Sequence, residues 1–346
     1  MTLTCPMSLV GAEKILLGHG SGGTLSAALM RDVILPAYSN DVLARMEDQA
    51  TLSVGGGVRL AFTTDSYVVK PLFFPGGDIG KLAVHGTIND LAMGGARPIA
   101  LSVAMILEEG FPVAELQRIA NSIGEAARAC GVPVVTGDTK VVEKGSGDGV
   151  FVNTSGIGVV AEGLDLSASN ARAGDVVILS GSIGDHGIAI LTQREGLSLD
   201  TAIESDSAAL HTMVAGILRA TSEVRCMRDP TRGGLASTLN EIAAQSGVGI
   251  TIEETAVPVR DGVRGVCELL GLDPLYVANE GKMIAIVPPG AANAVLDAMR
   301  AHPLGREAAI VGSVTAGEAG RVLQRTAFGT RRVVTMLTGD QLPRIC

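Results

Sequence analysis

Residues 78–107, DIGKLAVHGTINDLAMGGARPIALSVAMIL, decide the fold class of this chain. Asp78 to Met93 has helical spacing, with Ile79, Leu82, Ala83, Ile88, Leu91 and Ala92 on one face. Gly94-Gly95 and then Pro98 stop the helix, since glycine is entropically costly there and proline lacks the N–H a helix needs. Ile99 to Leu107 follows as an apolar run of strand length. Helix and strand joined by a short turn are the unit of α/β domains.

The same alternation continues on both sides. Gly57 to Asp65, GVRLAFTTD, reads as a strand that Ser66 to Val69 can extend. Val113 to Cys130 reads as an amphipathic helix with Leu116, Ile119, Ile123 and Ala127 inward. Val132 to Val135 reads as a buried strand ending at Thr136-Gly137-Asp138, and Val150 to Val160 as another strand. Around Leu164 to Gly174 the composition turns to Ser, Asn, Ala and Gly, which places a domain boundary there. The second half restarts with a strand at Asp175 to Ser180, the loop Gly181 to Gly187 and a helix through Arg194. Strands are expected at Gly249–Ile252, Met283–Val287, Ala309–Val314 and Arg332–Met336, with helices at Ala208–Ala220, Gly233–Ser246, Val263–Leu270 and Ala291–Ala301. The expectation is a two-domain α/β (α+β) protein: residues 1–165, residues 166–337, and a flexible tail over 338–346.

With 346 residues the chain is long enough for two cores. Forty-five glycines against nine aromatic residues and no Trp suggest many tight turns and a core of Val, Ile, Leu and Ala, without stacking platforms for nucleic acid. A net charge of −9 argues against general affinity for phosphodiester backbones or anionic membranes. Any phosphate must then be held locally, by backbone N–H groups, a few cations or a metal. Met1 to Gly18 lacks a basic segment followed by an apolar core, and no apolar run approaches the roughly 18 residues of a membrane helix. A cytoplasmic location is the expectation.

The five cysteines, Cys5, Cys130, Cys226, Cys267 and Cys346, form no Cys-x-x-Cys and no zinc spacing. Cys130, Cys226 and Cys267 read as buried packing residues. Cys346 ends the sequence behind Gly339-Asp340-Gln341-Leu342-Pro343-Arg344-Ile345. Leu342-Pro343 favours an extended backbone, and eight extended residues reach roughly 26 Å at about 3.3 Å each. Such a tail can carry a thiol between solvent and a cleft.

Acids at strand ends point to the chemistry. Thr63-Thr64-Asp65-Ser66 ends one strand, Thr87-Ile88-Asn89-Asp90 lies within a helix, and Thr136-Gly137-Asp138-Thr139-Lys140 follows a third element. Each Asp alone is an ordinary cap or turn former. Three from separate elements, with Lys140 nearby, suit a magnesium ion that wants oxygen ligands and bridges phosphates. Gly18-His19-Gly20-Ser21-Gly22-Gly23 can cradle an anion through successive N–H groups. The chain has no Gly-x-x-x-x-Gly-Lys-Ser/Thr, so a P-loop is excluded. His19, His85 and His186 precede glycines in separate elements, and magnesium prefers oxygen, so a histidine metal site is not expected.

These motifs, together with Gly86 to Gly95, Arg228-Asp229-Pro230-Thr231-Arg232-Gly233-Gly234, Asn279-Glu280-Gly281-Lys282 and Pro343-Arg344-Ile345-Cys346, resemble the HypE family of [NiFe]-hydrogenase maturation proteins over essentially the whole chain. The middle motifs are similar to the wider ATP-binding superfamily of aminoimidazole ribonucleotide synthetase, selenophosphate synthetase and thiamine-phosphate kinase. The ending Pro-Arg-Ile-Cys is the specific element. The resemblance implies a homodimer paired through N-terminal strands, with ATP and Mg²⁺ held by first-domain acids. It also implies that a HypF-type carbamoyltransferase loads the terminal thiol, that the thiocarboxamide is dehydrated to a thiocyanate, and that the cyano group passes to iron on a HypC–HypD complex.

Under that resemblance, the carboxamide oxygen on Cys346 attacks the γ-phosphate in line, and the resulting imidate phosphate expels inorganic phosphate. Asp65, Asp90 and Asp138 are assigned to metal. Gly20, Ser21, Gly22, Gly23, Asp65, Asn89, Gly137, Thr139, Lys140 and Arg232 are assigned to nucleotide and phosphate. Lys140 also supplies charge to the transferring phosphate. A base must take protons from the amide nitrogen. Glu280, just before an apolar strand, is the first candidate, and His85, at helical spacing from Asn89, the second. A salt-bridged Glu280 and a surface His85 are the plainer alternatives. Asp229 to Gly234 opens a helix whose N–H groups can receive an oxyanion, or is simply capped by Asp229 or Thr231. Selenophosphate synthetase is the nearest rival enzyme, although Cys5 lacks its Gly-Cys-x-x-Lys setting. A non-catalytic docking protein using the terminal thiol is the rival of another class, and it has no use for the strand-end acids.

Overall fold

The computed structural model describes residues 14–38, 40–197, 203–339, 342 and 344–346. Cys5, Asp340, Gln341 and Pro343 lie outside the described residues. The loop Gly18–Gly23 enters a short helix, α1 (Thr24–Leu29). The first sheet contains β1 (Ala50–Ser53), β2 (Arg59–Tyr67), β3 (Ala96–Glu108), β4 (Val134–Val142) and β5 (Val150–Val160), in the order β1-β2-β5-β3-β4. All neighbours are antiparallel except β3 and β4. That parallel pair needs a crossover, which α3 (Val113–Cys130) provides.

Helix α2 (Ile79–Met93) begins where the sequence predicts, because Asp78 accepts the N–H groups of Gly80 at 2.7 Å and Lys81 at 3.1 Å. It is buried nearly all round. Ile79, Leu82 and Ile88 pack with Leu101, Ile119 and Ile123 of the first domain, while Ala92 and Met93 join the core of the second. The other face of the first sheet leaves Phe62, Ile99, Ile106 and Ile157 exposed.

Val132–Val135 does not form the expected buried strand: only Val132 is buried, and β4 runs from Val134 through the Gly137-Asp138-Thr139-Lys140 motif to Val142. Val135 is 63% and Val141 67% exposed. The valine-rich pattern of a central strand belongs here to an edge strand, paired on one side alone among the described residues.

The second sheet combines β6 (Val176–Leu179), β7 (Cys226–Arg228), β8 (Gly249–Glu253), β9 (Ile284–Val287), β10 (Ala309–Thr315), β11 (Val322–Arg325) and β12 (Arg331–Val334), in the order β12-β11-β8-β10-β6-β9-β7. Its helices are α4 (Asp185–Glu195), α5 (His211–Ala220), α6 (Gly234–Ser246), α7 (Asp261–Leu270) and α8 (Ala292–Ala301). Strand β9 shows why its run is apolar throughout: Ile284 and Ile286 face the core of α6, and Ala285 and Val287 face that of α5 and α8. Strands β1, β7 and β11 escaped the sequence reading, being three or four residues long without clear alternation. Cys226 and Cys267 are buried as expected, and Cys130 is half-buried.

Candidate active site

The segment that ends in Cys346 lies in the cleft between the two sheets' domains. Val68, just past β2, donates its N–H to the main-chain oxygen of Cys346 at 3.0 Å, and Lys70 donates to the Arg344 carbonyl at 3.1 Å. Both bonds run from N–H groups of residues 68–70 to main-chain oxygens of the docked segment. The Arg344 Nε returns a bond to the Val68 carbonyl at 3.1 Å, and its guanidinium pairs with Asp148. On the second domain, Arg194 of α4 donates to the Arg344 carbonyl at 2.8 Å and His186 Nε2 to the Ile345 carbonyl at 2.6 Å. Ile345 is buried in the same apolar cluster as Tyr67, Val69, Ile190 and Ala278.

This seating brings Cys346 to a cavity of about 220 Å³ that five carboxylates line: Asp48, Asp65, Asp90, Asp229 and Glu280. Arg232 and Thr231 complete that wall. Each acid arrives on a different element. Asp48 precedes β1, Asp65 is on β2, Asp90 is on α2, Asp229 follows β7, and Glu280 sits in the loop before β9. Thr63 Oγ1 lies 2.9 Å from the Asp90 carboxylate and 3.0 Å from the Asp48 carbonyl, its single proton serving one or the other, and so sits between two of these elements. The Glu280 loop is fixed by Asn279, whose amide donates to Pro230 at 2.9 Å and accepts from the Gly184 N–H at 2.7 Å. Asp206 fixes it further, accepting the Glu280 N–H at 3.0 Å and Lys282 Nζ at 3.0 Å. Buried Arg228 pairs with Asp48 and donates to the Met46 carbonyl at 3.0 Å, joining the first domain's entry to β7.

Electrostatics follow from crowding. Burial and the charges of Asp229, Asp65 and Asp48 push the Asp90 carboxyl well above its ordinary range. Burial together with Asp48 raises Asp229 to about 8. Asp48 rises to about 6, mainly by burial and against the pull of Arg228. Glu280 is held high by burial and by Asp229, Asp65 and Asp206, with Arg232 opposing. Like charges gathered this way call for a cation. Burial also lifts the Cys346 thiol to about 12, with Arg232 pulling it down.

A second cavity, of about 170 Å³, shares Arg232 and Cys346 with the first and is lined by Gly20, Ser21, Ser66 and Tyr276. The Gly18–Gly23 loop therefore reaches the site. Gly22 has φ +73° and lies so close to Arg232 that a Cβ would sit 2.6 Å from its carbonyl oxygen, and one on Gly23 would sit 2.1 Å from that of Leu337. Arg232 in turn donates to the Gly20 carbonyl at 3.0 Å.

Of the sequence-predicted residues, Gly20, Ser21, Asp65, Asp90, Arg232, Glu280 and Cys346 are thus brought to these two cavities, with Gly22 and Gly23 packed behind them. Asn89 is placed differently. Its amide donates to the carbonyls of Ala208 at 3.0 Å and Glu280 at 3.3 Å and accepts from the Leu210 N–H at 2.8 Å, so it braces Glu280 and lines neither cavity. His85 is buried against Ser207, 3.2 Å away, and burial lowers it to about 4. Gly137, Asp138 and Thr139 line a separate, open groove on β4, where exposed Lys140 holds Asp138 below the usual carboxylate range. Asp48 and Asp229 were not assigned to the site from sequence. Asp229 stood in a quoted motif and read as a helix cap, but α6 begins only at Gly234. Asp48 carried no signal of its own.

Residues 46–160 match the N-terminal domain, and residues 172–324 the C-terminal domain, of the AIR synthase related proteins. A carbamoyl dehydratase HypE of Azotobacter vinelandii is 60% identical over 328 residues, covering 95% of this chain and 96% of that one. A crystal structure of a HypE–HypF complex matches with TM-score 0.85 at 48% identity, over 90% of this chain and 100% of that one. A HypE crystal structure in complex with ATP matches with TM-score 0.81 at 50% identity, over 96% of this chain and 100% of that one.

Proposed function

The chain belongs to the HypE family of carbamoyl dehydratases, and from that premise we propose how its residues perform an ATP-dependent dehydration in [NiFe]-hydrogenase maturation. Cys346 carries the carbamoyl group as a thiocarboxamide. The observation that supports this is the enclosure of its thiol with five carboxylates and Arg232 in one cavity. The carboxamide oxygen attacks the γ-phosphate of ATP, forming a C–O–P link and releasing ADP. Loss of inorganic phosphate then breaks the C–O bond, and both nitrogen protons leave to give the thiocyanate.

Glu280 is positioned to accept a nitrogen proton, having Cys346 across the cavity and its backbone locked by Asp206 and Asn89. Arg232 lines both cavities with Cys346 and stabilises negative charge that develops on the carboxamide oxygen. His85, neutral at ordinary pH and turned to Ser207, acts as structural support.

The repelling acids fit Mg²⁺. Asp65, Asp90 and Asp229 are the residues that would hold it. Among the described residues no three acidic, histidine or cysteine side chains are gathered tightly enough to hold a metal by themselves, so phosphate oxygens would complete the shell. When bound, the ion neutralises phosphate charge. Asp138 and Lys140 serve the nucleotide of a second subunit: they stand on edge strand β4, whose exposed valines and the bare Phe62–Ile157 face support a homodimer.

A HypF-type carbamoyltransferase supplies the carbamoyl group, in line with the HypE–HypF complex among similar structures, and a HypC–HypD complex takes the cyano group. No described helix is long and apolar enough to cross a membrane.

The test is to carbamoylate the protein and add ATP with magnesium. Loss of one water from the Cys346 peptide, with one ADP formed per tail, is expected by mass spectrometry. ATP turnover with an unaltered peptide would reject the reading.

A further inference from the structure

We propose that His186 is a positioning residue for this reaction: its imidazole Nε2–H, bonded to the Ile345 carbonyl, sets the register that places Cys346 among the carboxylates. The proposal rests on the reading that Cys346 carries the reacting group.

The last three residues share their main-chain oxygens between two walls of the cleft. The carbonyl of Arg344 and the main-chain oxygen of Cys346 turn toward residues 68–70 and take the N–H groups of Lys70 and Val68. The Ile345 carbonyl turns away and finds no partner in that stretch. His186, on the first turn of α4, meets it at 2.6 Å from the opposite wall. A buried carbonyl left without a donor is costly, so this bond completes the seat. Without it the placement of the thiol would rest on the bonds that Arg344 and Cys346 make.

The proton's position follows from the partners. A carbonyl only accepts, so Nε2 carries the hydrogen. Burial holds the imidazole pKa down although Asp206 opposes this, which leaves Nδ1 bare to accept from the Ser205 hydroxyl at 2.8 Å. Ser205 Oγ is itself fixed by the Ser207 N–H at 3.1 Å. The ring is completely buried and meets Phe74 edge-on, with centroids 5.7 Å apart. Ser205 and Phe74 therefore hold the ring from sides that the segment does not occupy.

Two readouts on the full-length protein separate seating from folding. The first is the rate at which iodoacetamide alkylates Cys346 without nucleotide, followed on the C-terminal peptide. The second is single-turnover loss of water from the carbamoylated protein with ATP and magnesium. His186→Leu removes the donor at similar volume, and His186→Gln keeps an N–H at the Nε2 position. The leucine variant is expected to be alkylated about tenfold faster and to dehydrate about tenfold slower, with glutamine restoring both toward wild type. Unchanged alkylation in His186→Leu overturns the proposal, as does a glutamine variant no better than leucine. If wild type itself loses no water, the functional reading fails, while the alkylation comparison still decides the role of His186.

Discussion

Val68 donates its backbone N–H to the main-chain oxygen of Cys346 at 3.0 Å. The residue proposed to carry the reacting group is thus anchored by its backbone, and its side chain is left to the cavity. Seating and chemistry are separable.

Cys346→Ala should accordingly fold normally and bind nucleotide as wild type does, because the seat is built from backbone atoms, His186, Arg194 and Ile345. It should form no ATP-dependent protein-bound thiocyanate. Mass spectrometry of the product decides this, and a cyanated product from the Cys346→Ala variant would refute the assignment.

Glu280→Gln should slow dehydration about 100-fold or more, the range of a lost general base, with ATP affinity changing by less than about threefold. Because burial and neighbouring acids raise the Glu280 carboxyl, the wild-type rate should climb as pH rises through its ionisation. The glutamine variant should lack that limb in single-turnover pH profiles.

Acid crowding also predicts how the nucleotide-free protein responds to pH. Asp48, near 6, and Asp229, near 8, bind protons more tightly when folded than the ordinary carboxyl value near 4 allows. Their ionisation therefore costs nothing below about pH 4 and destabilises progressively as pH rises through 6 and 8. Without magnesium or ATP, Tm should fall several degrees between about pH 5 and 8.5. Asp229→Asn should flatten that slope, and a wild-type Tm that is flat over this window would contradict the crowding.

Asp90→Asn and Asp138→Asn should each weaken magnesium-dependent ATP binding more than about tenfold by calorimetry. They differ in where they act. If β4 serves the neighbouring subunit, mixing the two inactive variants restores one intact site in each hybrid dimer, and about a quarter of wild-type activity. No recovery after verified exchange would return Asp138 to its own subunit's chemistry or remove it from the site.

The Ile79–Met93 helix was legible because its stops and its Asp78 cap are local, as was Val113–Cys130. Strand β4 misled because a valine run reports apolarity and says nothing about which face is covered. Asn89 and His85 sit on the expected helix face, yet partners from residues 207–210 and 280 claim their polar atoms. Such partners are distant in sequence and leave no periodic trace. Asp229 was hidden by a plausible local role as a cap.

Residue order alone was enough to specify the α/β elements, the acid-bearing motifs and the Pro343-Arg344-Ile345-Cys346 motif, since each depends on spacing within a few residues. Which acids converge, that Arg232 shares both cavities with Cys346, and that His186 donates to the Ile345 carbonyl emerge only once the chain is folded. Those relations join residues far apart in the sequence, and only the packing of two sheets around α2 fixes the distances on which charge and hydrogen bonding depend.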